Sequence, residues 1–245
     1  MELNLKNKVV FVTGGSSGLG EQIIEAFLRE SARIVNYDLL PPSDAISASE
    51  DYLYCWGDIT EQAQIESAFD VAEEKFGSID ILVNNAGTWP TYKILDMTPE
   101  QWEKTIKINL KGPFLLSTHF AQRCVEKCKP GVVINIVSPV AYQGSGNGHS
   151  AYASAKAALI SFNRSMTLEL AKNGIRTVAV APGVMLTKMT QQTLEQKKDN
   201  YLKRIPIGRF VEPQEVANVV VFAASEKASA ITGTTLDATG GQLGL

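Results

Sequence analysis

The eight residues Thr13-Gly14-Gly15-Ser16-Ser17-Gly18-Leu19-Gly20 constrain this chain more than any other segment. They follow Lys8-Val9-Val10-Phe11-Val12, a β-branched run that predicts a strand. They open a segment, Ser17 to Glu30, whose apolar residues Leu19, Ile23, Ile24, Phe27 and Leu28 fall on one helical face. Glycine has no Cβ, so a glycine turn bends tightly and lets other groups approach its backbone. The start of the next helix presents free N–H groups. A strand, a glycine turn and a helix in this order suit the pyrophosphate of a dinucleotide.

The same alternation continues almost to the end. Strands are expected at Arg33–Asp38, Tyr52–Trp56, Ile79–Val83, Val132–Val137, Arg176–Val180 and Thr234–Asp237. Helices are expected at Glu61–Phe76 with Thr60 as N-cap, after Pro99 with Thr98 as cap, and at Ala151–Ala171. Two more are expected between Thr187 and Ala224. Strands apolar on both faces and separated by helices imply a parallel sheet covered on both sides. Length alone allows a closed eight-stranded barrel or an open doubly wound sheet; the glycine turn favours the open sheet. With no repeat and no low-complexity linker, 1–245 is read as one domain.

Composition narrows the function. Apolar residues make up 44% of the 245 and charged residues 20%, as in ordinary globular proteins. The net charge of −3 gives no basic excess for nucleic acid or an anionic membrane. No apolar run suggests a membrane span, and Met1-Glu2-Leu3-Asn4-Leu5-Lys6 lacks a signal-peptide core, so a cytoplasmic protein is expected. Cys55, Cys124 and Cys128 form no disulfide framework, and with only His119 and His149 available no metal site is expected.

The glycine turn reads T-G-x-x-x-G-x-G, and other segments join it. Asn84-Asn85-Ala86-Gly87 ends the fourth strand, Ser138 the fifth, and Pro182-Gly183 the sixth. Tyr152-Ala153-Ser154-Ala155-Lys156 reads Y-x-x-x-K, fourteen residues after Ser138, and Asp237 precedes Gly240-Gly241. In this order and over essentially the whole chain, the segments resemble short-chain dehydrogenases/reductases. The resemblance implies a Rossmann fold: a doubly wound, mostly seven-stranded parallel sheet with helices on both faces. It also implies a substrate loop at about 184–210.

Tyr152 and Lys156 are four apart and share a helix face. Carbonyl reduction needs a proton donor at the oxygen. A tyrosine can serve if a neighbouring ammonium lowers its pKa from about 10. By resemblance, Lys156 supplies that charge and contacts the nicotinamide ribose. Ser138 orients the substrate oxygen, and Asn109 holds a water that links Lys156 to solvent. Pro139 departs from the serine that many relatives carry there. A Ser-His-Asp hydrolase is disfavoured, because neither Ser16-Ser17 nor Ser138 lies in a G-x-S-x-G elbow.

Asp38 ends the second strand, where an acid can accept from both adenosine ribose hydroxyls and repel a 2′-phosphate, so NAD is expected over NADP. By resemblance the cofactor also touches Gly14, Ser16, Ser17, Gly18, Leu19, Gly20, Asp58, Ile59, Asn85, Ala86, Gly87, Pro182, Gly183, Met185 and Thr187. Trp89, Tyr142, Gln143, His149, Met185, Leu186 and Met189 lie on segments that line the substrate pocket in relatives. With no arginine among them, a neutral secondary alcohol or ketone is expected: a sugar, polyol, steroid or cyclic ketone. An acyl-carrier-protein 3-oxoacyl reductase is the alternative within this class, and a non-catalytic NAD sensor the alternative outside it. The resemblance further implies a homotetramer, with a dimer next.

Overall fold

The computed structural model describes residues 2–43, 49–185 and 199–244. Its strands are β1 (Val9–Thr13), β2 (Arg33–Asp38), β3 (Tyr52–Trp56), β4 (Ile81–Asn84), β5 (Gly131–Ile136), β6 (Ile175–Pro182) and β7 (Thr235–Ala238). They form one sheet in the order β3-β2-β1-β4-β5-β6-β7, every neighbouring pair parallel. The open doubly wound sheet is therefore the architecture. Strand order reverses between β1 and β4, and a crevice opens at the carboxyl ends of the strands where it does.

Alternation along β1 feeds two cores. Val10 and Val12 face one side with Ile23, Ile24 and Phe27 of helix α1 (Gly18–Arg29). Val9 and Phe11 face the other with Ile65 and Phe69 of α2 (Gln62–Phe76). All of these are almost fully buried, and each such side chain contributes about 1.5–3 kcal/mol. Helix α2 does not begin as the sequence suggests: Glu61 occupies the cap position, and Thr60 instead donates its N–H to the Asp58 carboxylate at 2.8 Å.

Thr98 does cap α3 (Pro99–Ile106), in a reciprocal capping box with Gln101. The single long helix expected after Pro99 is interrupted, however. A π-helical turn at Lys107–Lys111 separates α3 from α4 (Gly112–Glu126). Pro113 explains the break, because it has no N–H for the carbonyl four residues earlier, that of Asn109. A short α5 (Val140–Gln143) follows β5, then α6 (Ser150–Leu170). Of the two helices expected before Ala224, α7 (Pro213–Ala224) is present, and the other falls mainly outside the described residues.

One buried polar chain joins β4 and β5 to the helices beside them. Asn84 Nδ2 donates to Ser117 Oγ and to Asn135 Oδ1, each at 2.9 Å. Asn135 Nδ2 donates in turn to Asn163 Oδ1 at 3.0 Å. All four residues are buried.

Candidate active site

The glycine turn is tied down from both flanking strands. Thr13 Oγ1 accepts the N–H groups of Asn85 and Ala86 at 3.1 and 3.0 Å, and Asn85 Nδ2 donates to the Thr13 and Gly14 carbonyls. On the β2 side, Asn36 Oδ1 accepts the Gly15 N–H at 3.1 Å. Asn36 Nδ2 donates to Ser16 Oγ at 3.0 Å and to Tyr52 OH at 2.7 Å. Asn36 is fully buried and was missed in the sequence; its signal was an amide in the middle of an apolar strand. Gly20 allows α1 to seat against the turn, since a Cβ there would lie 2.0 Å from the Gly14 carbonyl oxygen.

A cleft of about 720 Å³ opens above this turn. Of the expected cofactor residues, Gly14, Ser17, Gly18, Leu19, Gly20, Asp38, Asp58, Ile59, Asn85, Ala86, Gly87, Tyr152, Lys156, Pro182, Gly183 and Met185 line it. Ser16 is not in the lining. Its N–H donates to Asp38 Oδ2 at 2.9 Å and its hydroxyl to the Leu40 carbonyl at 2.7 Å, so it braces the wall instead. Thr187, Leu186 and Met189 lie outside the described residues.

These residues fit a nicotinamide dinucleotide. Ser17 holds the N-cap of α1 in extended conformation and makes no side-chain capping bond, so the first N–H groups of the helix are left for an anionic ligand. The Asp38 carboxylate stands at the end of β2, oriented by the N–H groups of Ser16 and Leu40.

Ser138, Tyr152 and Lys156 meet on the cleft wall. Lys156 is 3% exposed; its Nζ donates to the Ile136 carbonyl at 2.7 Å and lies 5.7 Å from the Tyr152 ring centroid. Burial lowers its pKa to about 8. Burial also drives the Tyr152 hydroxyl up to about 12, against the opposing effect of its hydrogen bond with Ser138. The expected lowering of Tyr152 by Lys156 is thus not what the protein alone provides: desolvation dominates, and the ammonium is turned onto a carbonyl.

Asn109 lies in the π turn and is buried. Its side chain is committed to protein: Oδ1 accepts the Thr88 N–H at 3.2 Å, and Nδ2 donates to the carbonyls of Thr88 and Thr105 at 3.0 Å. Gly87 lets Asn109 pack against it, because a Cβ there would lie 2.8 Å from Asn109 Oδ1.

On the substrate side, Trp89 and His149 both line the cleft, their rings stacked at 4.2 Å. His149 Nδ1 lies 2.9 Å from the Pro90 carbonyl, which can only accept, so Nδ1 carries a proton. Tyr142 does not line the cleft. It is exposed, and its hydroxyl donates to Thr235 at the sheet edge. Gln143, one residue on, turns inward instead. Arg204 also lines the cleft, contrary to the expectation of a lining without arginine. Among the described residues no His/Cys/Asp/Glu group could hold a metal, and no helix is long and apolar enough to cross a membrane.

A family model described as enoyl-(acyl carrier protein) reductase matches residues 14–242. The chain is 37% identical to 3-oxoacyl-[acyl-carrier-protein] reductase FabG of Escherichia coli (strain K12), across 98% of each chain. It is 36% identical to sorbitol-6-phosphate 2-dehydrogenase of Klebsiella pneumoniae, across 98% of this chain and 97% of that one. The solved structure of the dehydrogenase Cj0485 covers all of this chain and 97% of its own, with a TM-score of 0.92 at 31% identity. Agreement that runs from the glycine turn to the last strand has one reading: the chain belongs to the short-chain dehydrogenase/reductase family, and it is an oxidoreductase.

Proposed function

We propose that the protein reduces a carbonyl to a secondary alcohol, or runs the reverse reaction, with NAD(H). The observation that carries this reading is the meeting of Ser138, Tyr152 and Lys156 on the wall of a dinucleotide-sized cleft. A bound nicotinamide cofactor supplies the hydride. Tyr152 gives its hydroxyl proton to the substrate oxygen in reduction and takes it back in oxidation. Ser138 donates a hydrogen bond to the same oxygen and stabilises the charge that develops there. Lys156, as an ammonium, favours the phenolate form that Tyr152 takes after proton release. The proton is replaced from solvent by way of Lys156 and a water that the Asn109 backbone carbonyl would hold, since Pro113 offers that carbonyl no N–H.

The relatives support a 3-oxoacyl thioester as substrate above the neutral alcohol or ketone suggested by the sequence. Polyol oxidation is the second reading. It is favoured by Asp38, whose carboxylate suits NAD rather than NADP, and by the likeness to sorbitol-6-phosphate 2-dehydrogenase.

The test follows NADH absorbance with acetoacetyl-coenzyme A and, in the reverse direction, a panel of polyols. Tyr152→Phe is expected to lower turnover at least about 10²-fold while NADH binding changes little. Unimpaired turnover in that variant would refute the mechanism. NADH binding with no turnover of any substrate would favour a sensor.

A further inference from the structure

The substrate end of the cleft holds a cation that hydride transfer does not use. Arg204 follows the helical turn at 199–202 and lines the same cleft as Tyr152. One guanidinium nitrogen donates to Gln143 Oε1 at 3.3 Å. Gln143 Nε2 donates to the Gln242 carbonyl at 3.2 Å, which fixes the amide with its oxygen toward the arginine. Arginine carries five N–H donors, so most of them remain for a ligand.

Arg204 is not neutralised in the way that several other surface arginines are. Arg123 is paired with Asp70 and Glu73, and Arg209 with Glu215. No ion pair among the described residues includes Arg204. The carboxylates that line the cleft, Asp38 and Asp58, stand beyond β2 and β3, on the other side of the switch point from Gln143 and Gln242.

We infer that Arg204 anchors an oxyanion, carboxylate or phosphate, that the substrate carries away from its reacting carbon. The cleft then selects anionic ketones and alcohols over the neutral ones that the sequence suggested. This rests on the reading of the cleft as a hydride-transfer site. A planar guanidinium binds either oxyanion bidentately, and a charged hydrogen bond of this kind is worth roughly ten- to a hundredfold in affinity.

Three ketones with the same reacting group separate the possibilities: ethyl acetoacetate (neutral), acetoacetate (carboxylate) and acetoacetyl-coenzyme A (phosphates). For wild type, the KM of one anionic ketone should lie well below that of ethyl acetoacetate, and which one it is identifies the group. In Arg204→Gln the ratio of those two KM values should rise at least about tenfold, and Arg204→Lys should restore part of it. Calorimetry adds a readout independent of turnover. Inorganic phosphate and succinate are titrated into the NAD⁺-saturated enzyme, and the better-binding anion should bind about tenfold more weakly to Arg204→Gln. Equal anion binding by wild type and Arg204→Gln, or an unchanged KM ratio, overturns the inference. Anion binding that depends on Arg204, with no turnover of any of the three ketones, keeps the anchor and removes the hydride-transfer reading.

Discussion

Replacing Asn36 by leucine tests how the glycine turn is held. The two side chains are close in shape, and leucine leaves little room for a substituting water. The change removes the acceptor for the buried Gly15 N–H and the donor to the buried Tyr52 hydroxyl. Each buried group left unpaired costs about 1–3 kcal/mol. Leucine's own burial offsets part of this, so the expected loss is about 2–4 kcal/mol, a large share of a typical domain's 5–15. Urea unfolding measures it directly. The loss should also appear in function, because the freed turn no longer presents the start of α1 in a fixed place. NADH affinity, followed by its fluorescence, is expected to fall about tenfold. In a double-mutant cycle with Tyr52→Phe, the two positions should couple by about 0.5–3 kcal/mol. An unchanged unfolding midpoint together with an unchanged NADH affinity would refute the claim that Asn36 sets the turn.

Asp38→Ser should weaken NAD(H) by roughly ten- to a hundredfold and narrow the preference over NADP(H), read as kcat/KM for both cofactors; equal use of both by wild type would make Asp38 a turn residue only. The buried Lys156, with its pKa near 8 in the folded protein against 10.5, binds less proton folded than unfolded between those values. It therefore makes the cofactor-free protein more stable as pH rises from about 8 toward 10, by at most about 1.4 kcal/mol per pH unit. Cys55 and Cys124, pushed up to about 11 by burial, oppose this above about 9. The difference between wild type and Lys156→Met over pH 8–9 isolates the lysine, and no difference in slope would count against its burial as a charged group. Light scattering is expected to give a homotetramer, with the exposed Phe114 and Trp102 of α4 and α3 at a contact between copies; a stable monomer at micromolar concentration would contradict this.

What the sequence revealed and what it hid have separate physical causes. The turn at residues 13–20 and the Tyr152–Lys156 pair were legible because their chemistry is set by spacing along one element. The π turn was hidden by the steady apolar period across residues 106–115, although Pro113 marked the missing N–H. Tyr142 and Gln143 could not be told apart, because neighbours on a short helix point about 100° from one another. Arg204 reaches the cleft only because residues 204–207 meet Gln143 and Gly240, from distant parts of the chain, which no local pattern reports. The shift of Tyr152 was hidden for the same reason: it depends on how much water the fold excludes.

The amides of Asn84, Asn135 and Asn163 bear on how the sheet finds its alignment. Ile81-Leu82-Val83 and Val132-Val133-Ile134 are apolar on both faces. If β4 slid along β5 by one residue, one buried aliphatic side chain would replace another at little cost. Asn84 and Asn135 lie opposite each other in the observed register and pair directly. Any one-residue slip would turn the two amides to opposite faces, unpaired in an apolar interior. The polar chain therefore acts as a key for strand alignment. Because Asn85-Ala86-Gly87 and Ser138 follow directly from those two strands, it also determines which residues reach the cleft.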